Sequence, residues 1–273
     1  MARSLLGQVA RPALPAILGC MALSSIGVGS AKADAFSLSY EAAGVQNANT
    51  TALCAQAGGG PCTIGVENFD TRTTNTSFTT NFGTTGTSPA LTGTYSSVQV
   101  IAADQYGGAG GTGKYPVVPN GVSYSITLST TLSTGINYFG LWVSALDAGN
   151  QLAFYKGTTL LYNFAPSTLI AAVGSCPNAS NAYCGNPNSQ FANLNNSQPY
   201  AFVNFLDTNG TFDTVKFVQN AGGSYESDNH TVGYATTQSG VNIPVTEPAS
   251  LALLAFALVG LSAIRPKRPI LSR

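Results

Sequence analysis

INYFGLWVSAL, residues 136–146, is the stretch on which the fold prediction rests. It is rich in aromatic and branched apolar residues, and it ends at turn residues 147–150, DAGN. Two shorter apolar stretches follow at residues 152–155 and 159–164, with Lys156-Gly157 between them. Short apolar runs separated by turn residues are typical of neighbouring β-strands, so the sequence predicts a three-stranded meander here.

The same pattern continues on both sides of this meander. In Val98-Gln99-Val100, apolar and polar residues alternate, which is typical of a strand with one face on a core and one in water. Residues 166–173 are the only helix predicted within this part of the chain. Because β-α alternation is absent, we predict an all-β fold, a single sandwich or jelly-roll-like domain over residues 36–240. Further strands are predicted at residues 36–40, 77–82, 95–102, 123–128, 200–205, 212–218 and 224–234.

Charged residues are few and unevenly distributed along the chain. They make up 8% of the sequence, whereas about 25% is usual for soluble domains. Between residues 36 and 246 there are four basic and nine acidic residues, a net charge of 4 − 9 = −5. Nucleic-acid binding requires a basic surface that neutralises phosphates, so no nucleic-acid partner is expected.

Residues 1–35 have the features of a secretory signal peptide. Arg3 and Arg11 provide the positive region, residues 13–28 are largely apolar, and small residues follow at 31–35. This order predicts export through the Sec translocon and removal of the segment by signal peptidase. A permanent N-terminal anchor and a lipoprotein site at Cys20 are the alternatives.

The other end of the chain, residues 241–273, has three parts. A short polar motif, residues 244–250 (PVTEPAS), is followed by a predicted apolar helix at 249–264 and a basic tail at 265–273. The helix has 16 residues, about 24 Å at about 1.5 Å per residue, against about 30 Å of hydrocarbon in a bilayer. That length suits a transient membrane stop. The basic tail residues Arg265, Lys267 and Arg268 are expected to keep this end in the cytoplasm.

This tripartite order resembles the PEP-CTERM sorting signal of exported proteins in Gram-negative bacteria. Thr246, Glu247 and Pro248 stand where that family has Pro-Glu-Pro. The resemblance implies brief anchoring in the inner membrane, cutting near Glu247-Pro248 by an exosortase, and delivery to the cell surface or the extracellular exopolysaccharide matrix. An uncut single-pass tail is the alternative.

Four stretches of the central domain also resemble exosortase-dependent surface proteins. They are residues 103–111 (ADQYGGAGG), 138–150 (YFGLWVSALDAGN), 185–188 (GNPN) and 226–233 (ESDNHTVG). The resemblance implies an exported β-sandwich surface protein, with no enzyme activity and no catalytic residues to carry over. We therefore expect a structural or adhesive role with glycan binding. A secreted carbohydrate-active enzyme that uses carboxylates such as Glu226 and Asp228 is the alternative.

Four cysteines follow the signal segment, and the members of each neighbouring pair have seven residues between them. The predicted disulfides are Cys54–Cys62 and Cys176–Cys184, because both loops are local and the chain is predicted to be exported. A zinc site is the rival interpretation. Residues 174–199 are rich in Asn and have no strand pattern, which indicates a functional insert or a poorly ordered loop.

Two further motifs were weighed as sites of chemistry. Residues 108–114 match the G-x-x-x-x-G-K part of a phosphate-binding loop, but Tyr115 replaces the required Ser or Thr and Pro116 follows, so a flexible glycine loop between strands is preferred. His230 is the only histidine, and we interpret its polar surroundings as a structural turn. Calcium bound by Glu226, Asp228 and Asn229 is the alternative, and no other cofactor is expected.

Overall fold

The chain folds mainly into β-strands, which confirms the all-β prediction. The computed structural model describes residues 35–47, 64–85, 88–192 and 194–244, and these lie in one compact unit. Its strands are β1 Phe36–Tyr40, β2 Ile64–Glu67, β3 Thr76–Thr85, β4 Ser88–Ala102, β5 Lys114–Val118, β6 Ser123–Thr130, β7 Tyr138–Ser144, β8 Asn150–Lys156, β9 Thr159–Phe164, β10 Ala201–Asp207, β11 Thr214–Gln219, β12 Tyr225–Gly233 and β13 Val241–Ile243. The α-helix is α1, Pro166–Val173, as predicted, and short 3₁₀ turns lie at Ala109–Gly111 and Ser189–Phe191.

All thirteen strands belong to one antiparallel sheet, which curls on itself. The order is β13-β1-β10-β7-β12-β5-β4-β6-β11-β8-β9, with β2 added beside β12 and β3 beside β4. The long strand β4 joins the two halves, since Leu91–Tyr95 pairs with β6 and Gln99–Ala102 pairs with β5. We call the strands from β13 to β5 the β12 half, and those from β6 to β9 the β11 half.

Aromatic side chains fill the space between the two halves. Phe154 of β8 lies 5.0 Å from Phe205 of β10 between ring centroids, and Phe139 of β7 lies 6.2 Å from Phe217 of β11. All four are fully buried, and burying one such side chain contributes about 1.5–3 kcal/mol. The halves therefore pack as two layers that are continuous through β4, an arrangement that fits the predicted sandwich-like domain.

The predicted meander is wrong at its first step. β7 pairs with β10 and β12, whereas β8 pairs with β11 and β9, so residues 147–150 lead from one half to the other. The Asp147 carboxylate accepts hydrogen bonds from the backbone N–H of Gly149 (2.7 Å) and of Gly223 (3.2 Å). These bonds tie the crossing to the chain just before β12. The second hairpin, β8–β9, is confirmed.

Three strands were not predicted: β2, β5 and β13. β5 contains Pro116, which suggested a loop because proline cannot donate to a strand ladder. In the structure, the pairing of β5 with β12 is limited to Val117 and Val118, while Pro116 lies opposite Val100 of β4. β13 pairs with β1, and Ile243 lies opposite Leu38.

The loop between α1 and β10 is tied down along its length. Cys176 and Cys184 form the predicted disulfide, with 5.6 Å between their Cα atoms. The Asn181 side chain donates to the carbonyl of Val173 at 2.9 Å, and the backbone N–H of Tyr200 donates to the carbonyl of Tyr183 at 2.9 Å. The Asn-rich segment is therefore a hydrogen-bonded insert.

Several predictions fall outside the described residues. They concern the signal peptide up to residue 34, Cys54 and Cys62, and the sorting segment from residue 245, with Thr246, Glu247, Pro248, Arg265, Lys267 and Arg268. Within the described ranges, no helix combines the length and apolarity needed to cross a membrane.

Candidate functional site

The polar cluster at residues 226–233 belongs to β12, which lies between β7 and β5. All nine residues of this strand are buried, so the predicted turn is wrong. Burial on both sides explains the error, because loops cover the outer face of the β12 half. A β-bulge between Asp228 and Thr231, with Asn229 at φ 50°, shifts the register within the strand.

His230 lies on the inner face of β12 and is fully buried. Its Nδ1 is 3.2 Å from the Tyr95 hydroxyl and its Nε2 is 3.0 Å from the Ser227 hydroxyl, both within hydrogen-bond range. The ring stacks on Phe217 with 4.9 Å between centroids. Burial lowers the pKa of His230 to about 3, so the ring is neutral and serves the core.

The glycine loop at residues 108–114 connects β4 to β5 and packs against the outer face of β12. The backbone N–H of Ala109 donates to Asp228 Oδ2 at 2.7 Å, and that of Lys114 donates to Asp70 Oδ1 at 3.0 Å. Gly113 has φ 76°, and a Cβ there would lie 1.9 Å from Asp70 Oδ1, so only glycine fits. Protein carboxylates therefore take the N–H groups that a phosphate loop would offer to its ligand, and the loop interpretation is confirmed.

Asp228 is held by the protein on both carboxylate oxygens. Besides Ala109, the backbone N–H of Asn229 donates to it, at 2.7 Å from Oδ1. Burial raises the pKa of Asp228 to about 7, and these two N–H groups act in the opposite direction. Asp228 and Asn229 border a cavity of about 250 Å³ with Asn68 and Asp70.

Glu226 faces a different cavity, which we call the outer cleft. It has a volume of about 400 Å³, within the range of about 300–1,000 Å³ usual for small-ligand pockets. It lies over the end of β7 and the beginning of β12, on the outer face of the β12 half. Its polar lining consists of Gln99, Asp104, Tyr106, Tyr115, Asp147, Gln198, Ser224 and Glu226.

Glu226 is the most unusual group in the outer cleft. The residue is 8% exposed, and no other described residue donates a hydrogen bond to its carboxylate. Burial, followed by the nearby Asp147 and Asp104, raises the pKa of Glu226 to about 8, against the effect of its own backbone N–H, which lowers it. At pH 7 the carboxyl group is therefore mainly protonated and can donate a hydrogen bond.

Hydrogen bonds hold the two aspartates of the outer cleft in place. Asp104 Oδ1 accepts from the Tyr115 hydroxyl at 2.8 Å and from the Tyr106 backbone N–H at 2.8 Å. The Tyr106 side chain is 41% exposed at the edge of the cleft. A ring beside fixed carboxylates and amides can bind ligands that have both apolar faces and hydroxyl groups.

Three of the four stretches that resemble exosortase-dependent surface proteins contribute residues to this cleft, and the fourth lies beside one of them. Asp104 and Tyr106 come from residues 103–111, Asp147 from 138–150 and Glu226 from 226–233. In residues 185–188, the Asn186 side chain donates to the carbonyl of Gln105 at 3.2 Å. Residues that are far apart in the sequence therefore build one surface.

The structure separates the three residues predicted to bind calcium. Asp228 and Asn229 share one cavity, while Glu226 lines the other. Among the described residues, no group of three or more His, Cys, Asp or Glu is arranged to hold a metal ion. Calcium binding therefore stays a prediction. Asp104, Asp147 and Tyr106 were not predicted as site residues, because only the loops of the folded chain bring them to Glu226.

The function of this chain has to be inferred from its site geometry and its sequence signals, because comparisons with known proteins give no match. The chain matches no protein-family model, no curated protein and no solved structure.

Proposed function

We propose that this chain is an exported protein of the cell surface or exopolysaccharide matrix, whose outer cleft binds glycan. Its predicted partners are the Sec translocon and signal peptidase at one end, and an exosortase acting on Thr246-Glu247-Pro248 at the other. The Cys176–Cys184 disulfide is consistent with this location, since such bonds persist mainly outside the cytosol.

Sorting is tested by mass spectrometry of the exported protein. We expect the mature chain to end near Glu247-Pro248. Recovery of peptides that span residues 247–263 from the exported pool would instead support the uncut single-pass tail.

The observation that carries the glycan proposal is the Glu226 carboxyl group. Buried polar groups nearly always have hydrogen-bond partners, yet no described residue other than Glu226 itself bonds this carboxylate. The carboxyl group lines an open cleft, together with an exposed tyrosine and the side chains of Gln99 and Gln198. Sugar hydroxyls can supply the missing hydrogen bonds while a sugar ring lies against Tyr106.

Retention on the producing cell's own polysaccharide tests this proposal. Tyr106→Ala should weaken binding by up to about tenfold, since aromatic contacts contribute about 0.5–1.5 kcal/mol beyond their buried area. Leu160→Ala is the matched control, because it removes another exposed apolar side chain, on β9 in the β11 half. Equal retention of both variants would contradict a role for the cleft.

Glycoside cleavage is the second candidate, and the raised pKa of Glu226 favours it. Such enzymes pair a protonated carboxylic acid with an ionised carboxylate. Asp228 does not fit the second role, because it lines another cavity. Asp147 or Asp104 would take it. In the retention assay, shortened polysaccharide would favour cleavage, whereas retention without shortening would favour binding.

A further inference from the structure

We infer that the outer cleft selects glycans that carry free, protonated amino groups over acetylated or acidic ones. This inference rests on the proposed glycan binding and names the class of sugar that the cleft would take. The charge of the cleft, the environment of Glu226 and the positions of the basic side chains support it.

The outer cleft is acidic throughout. Asp104, Asp147 and Glu226 line it, and the described residues that line it include no Lys, Arg or His. A glycan with uronate or sulfate groups would bring like charge close to these carboxylates. A glycan with ammonium groups would bring opposite charge, so the electrostatic preference favours amines.

The basic residues of the described domain are engaged elsewhere. Arg72 pairs with Glu67, and the Lys114 ammonium donates to the carbonyl of Arg72 at 3.0 Å. Lys156 lies 3.8 Å from Asp213, and Lys216 belongs to β11 in the other half. The described domain therefore leaves the acidic cleft without a counter-cation of its own.

Glu226 is placed to receive a cation from a ligand. It faces Asp147 from the β7–β8 connection, Asp104 and Tyr115 from the β4–β5 region, and Tyr200 from the segment before β10. The two aspartates raise the pKa of Glu226, and no basic group of the described residues acts against them. The carboxylate form of Glu226 therefore lacks a nearby positive charge. A ligand ammonium would supply that charge and form a charge-assisted hydrogen bond, stronger than a bond between neutral groups.

A sugar amine fits this cleft better than a bare divalent ion does. Calcium requires about six to eight oxygen ligands that converge at about 2.3–2.6 Å. Asp104 and Asp147 already accept backbone N–H bonds, and the described residues contain no metal-holding group. An ammonium group on a sugar needs one carboxylate, while the hydroxyls of the same sugar can bind Gln99 and Gln198.

Calorimetry on the exported protein tests the inference with three oligosaccharides of equal length. They are built from glucosamine, N-acetylglucosamine or galacturonic acid. We expect the glucosamine oligomer to bind at least about tenfold more tightly than the acetylated one, as for a hydrogen bond to a charged group. Added salt should reduce this preference, because screening weakens charge pairing.

Glu226→Gln keeps the size of the side chain and prevents it from becoming a carboxylate. It should reduce the amine preference, because a ligand ammonium can no longer pair with this group, and a wild-type circular dichroism spectrum shows that the variant is folded. Asp213→Asn is the matched control, because it makes the same kind of change in the β11 half, near Lys156. It should keep the amine preference.

The outcomes separate the two proposals. If the acetylated and amine oligomers bind equally, or the acidic one binds best, amine selectivity is wrong and glycan binding stands. The same holds if Glu226→Gln keeps the preference. If no oligosaccharide and no producer polysaccharide binds, the proposed function fails, and the inference fails with it.

Discussion

β12 presents polar side chains on both of its faces, and the two faces differ in whether those side chains have partners. On the inner face, His230 lies between the hydroxyls of Tyr95 and Ser227 and against the ring of Phe217. On the outer face, Glu226 is nearly as buried but receives no bond from another described residue. Burial alone therefore does not distinguish the two residues, whereas the lack of a described partner beside an open cavity makes Glu226 the candidate for ligand binding.

Replacing His230 tests the inner face, where we expect the largest effect. His230→Ala should lower the free energy of unfolding by about 3–5 kcal/mol, because it leaves a ring-sized cavity and two hydroxyls without a partner. Denaturant unfolding measures this loss. His230→Phe keeps the ring and should lose only about 1–3 kcal/mol. If His230→Ala cost less than about 1 kcal/mol, the inner face would not have the structural role described.

Removing the disulfide loosens the cover of the outer face. The double variant Cys176→Ser, Cys184→Ser should lose about 2.5 kcal/mol in thermal or denaturant unfolding, as expected for opening a nine-residue loop. Wild-type stability in the double variant would show that hydrogen bonds alone hold the loop. Adding a reductant to the double variant then reports on the predicted Cys54–Cys62 bond, since only that bond would remain.

The two faces should respond to pH in opposite directions. The pKa of Glu226 is about 8 in the folded chain and ordinarily 4.5, so its contribution to stability is fully present below pH 4.5 and is lost as pH rises through 8. Asp228, with a pKa of about 7, behaves alike. The pKa of His230 is about 3 and ordinarily 6.5, so its contribution is present above pH 6.5 and is lost as pH falls through 3.

The Glu226→Gln variant separates the contribution of Glu226 to the pH dependence of stability from those of Asp228 and His230. Between pH 6.5 and 8, where His230 no longer contributes a slope, we expect wild-type stability to fall with rising pH by up to about 1.4 kcal/mol per pH unit for each group that is still below its folded pKa, and the variant to fall more slowly. Below pH 6 its acid instability should remain, because His230 is unchanged. Urea unfolding at several pH values measures the change in stability on both the acid and the alkaline side. An unaltered alkaline slope in the variant would mean that Glu226 is not held neutral.

Sequence patterns located most strands but not their partners. Alternation and turn residues identified ten strands, because these signals depend only on near neighbours in the chain. The same residues 147–150 could close a hairpin or lead to the other half, since the choice depends on side chains from other segments such as Gln219 and Gly223. The apolar residues on both faces of β7 are a local sign of a central strand.

Only part of the site was predictable, because the sequence signals depend on near neighbours in the chain. Glu226 and Asp228 were singled out because they form a polar cluster within one strand. Asp104 and Asp147 come from separate connections, and nothing in their local sequence indicates that they meet. The buried position of His230 depends on Tyr95 and Phe217, which lie 135 and 13 residues away in the chain.

The pairing of β1 with β13 determines which way a tethered molecule would point. β1 begins and β13 ends at the same end of the sheet, and the junction of β7 and β12 at the cleft lies at the far end. Under the proposed sorting, a domain attached through its C-terminal segment would direct the cleft away from the lipid surface. Release by cutting near Glu247-Pro248 would then change the location of the domain without altering a strand, since β13 ends at Ile243, so ligand could be captured before or after release.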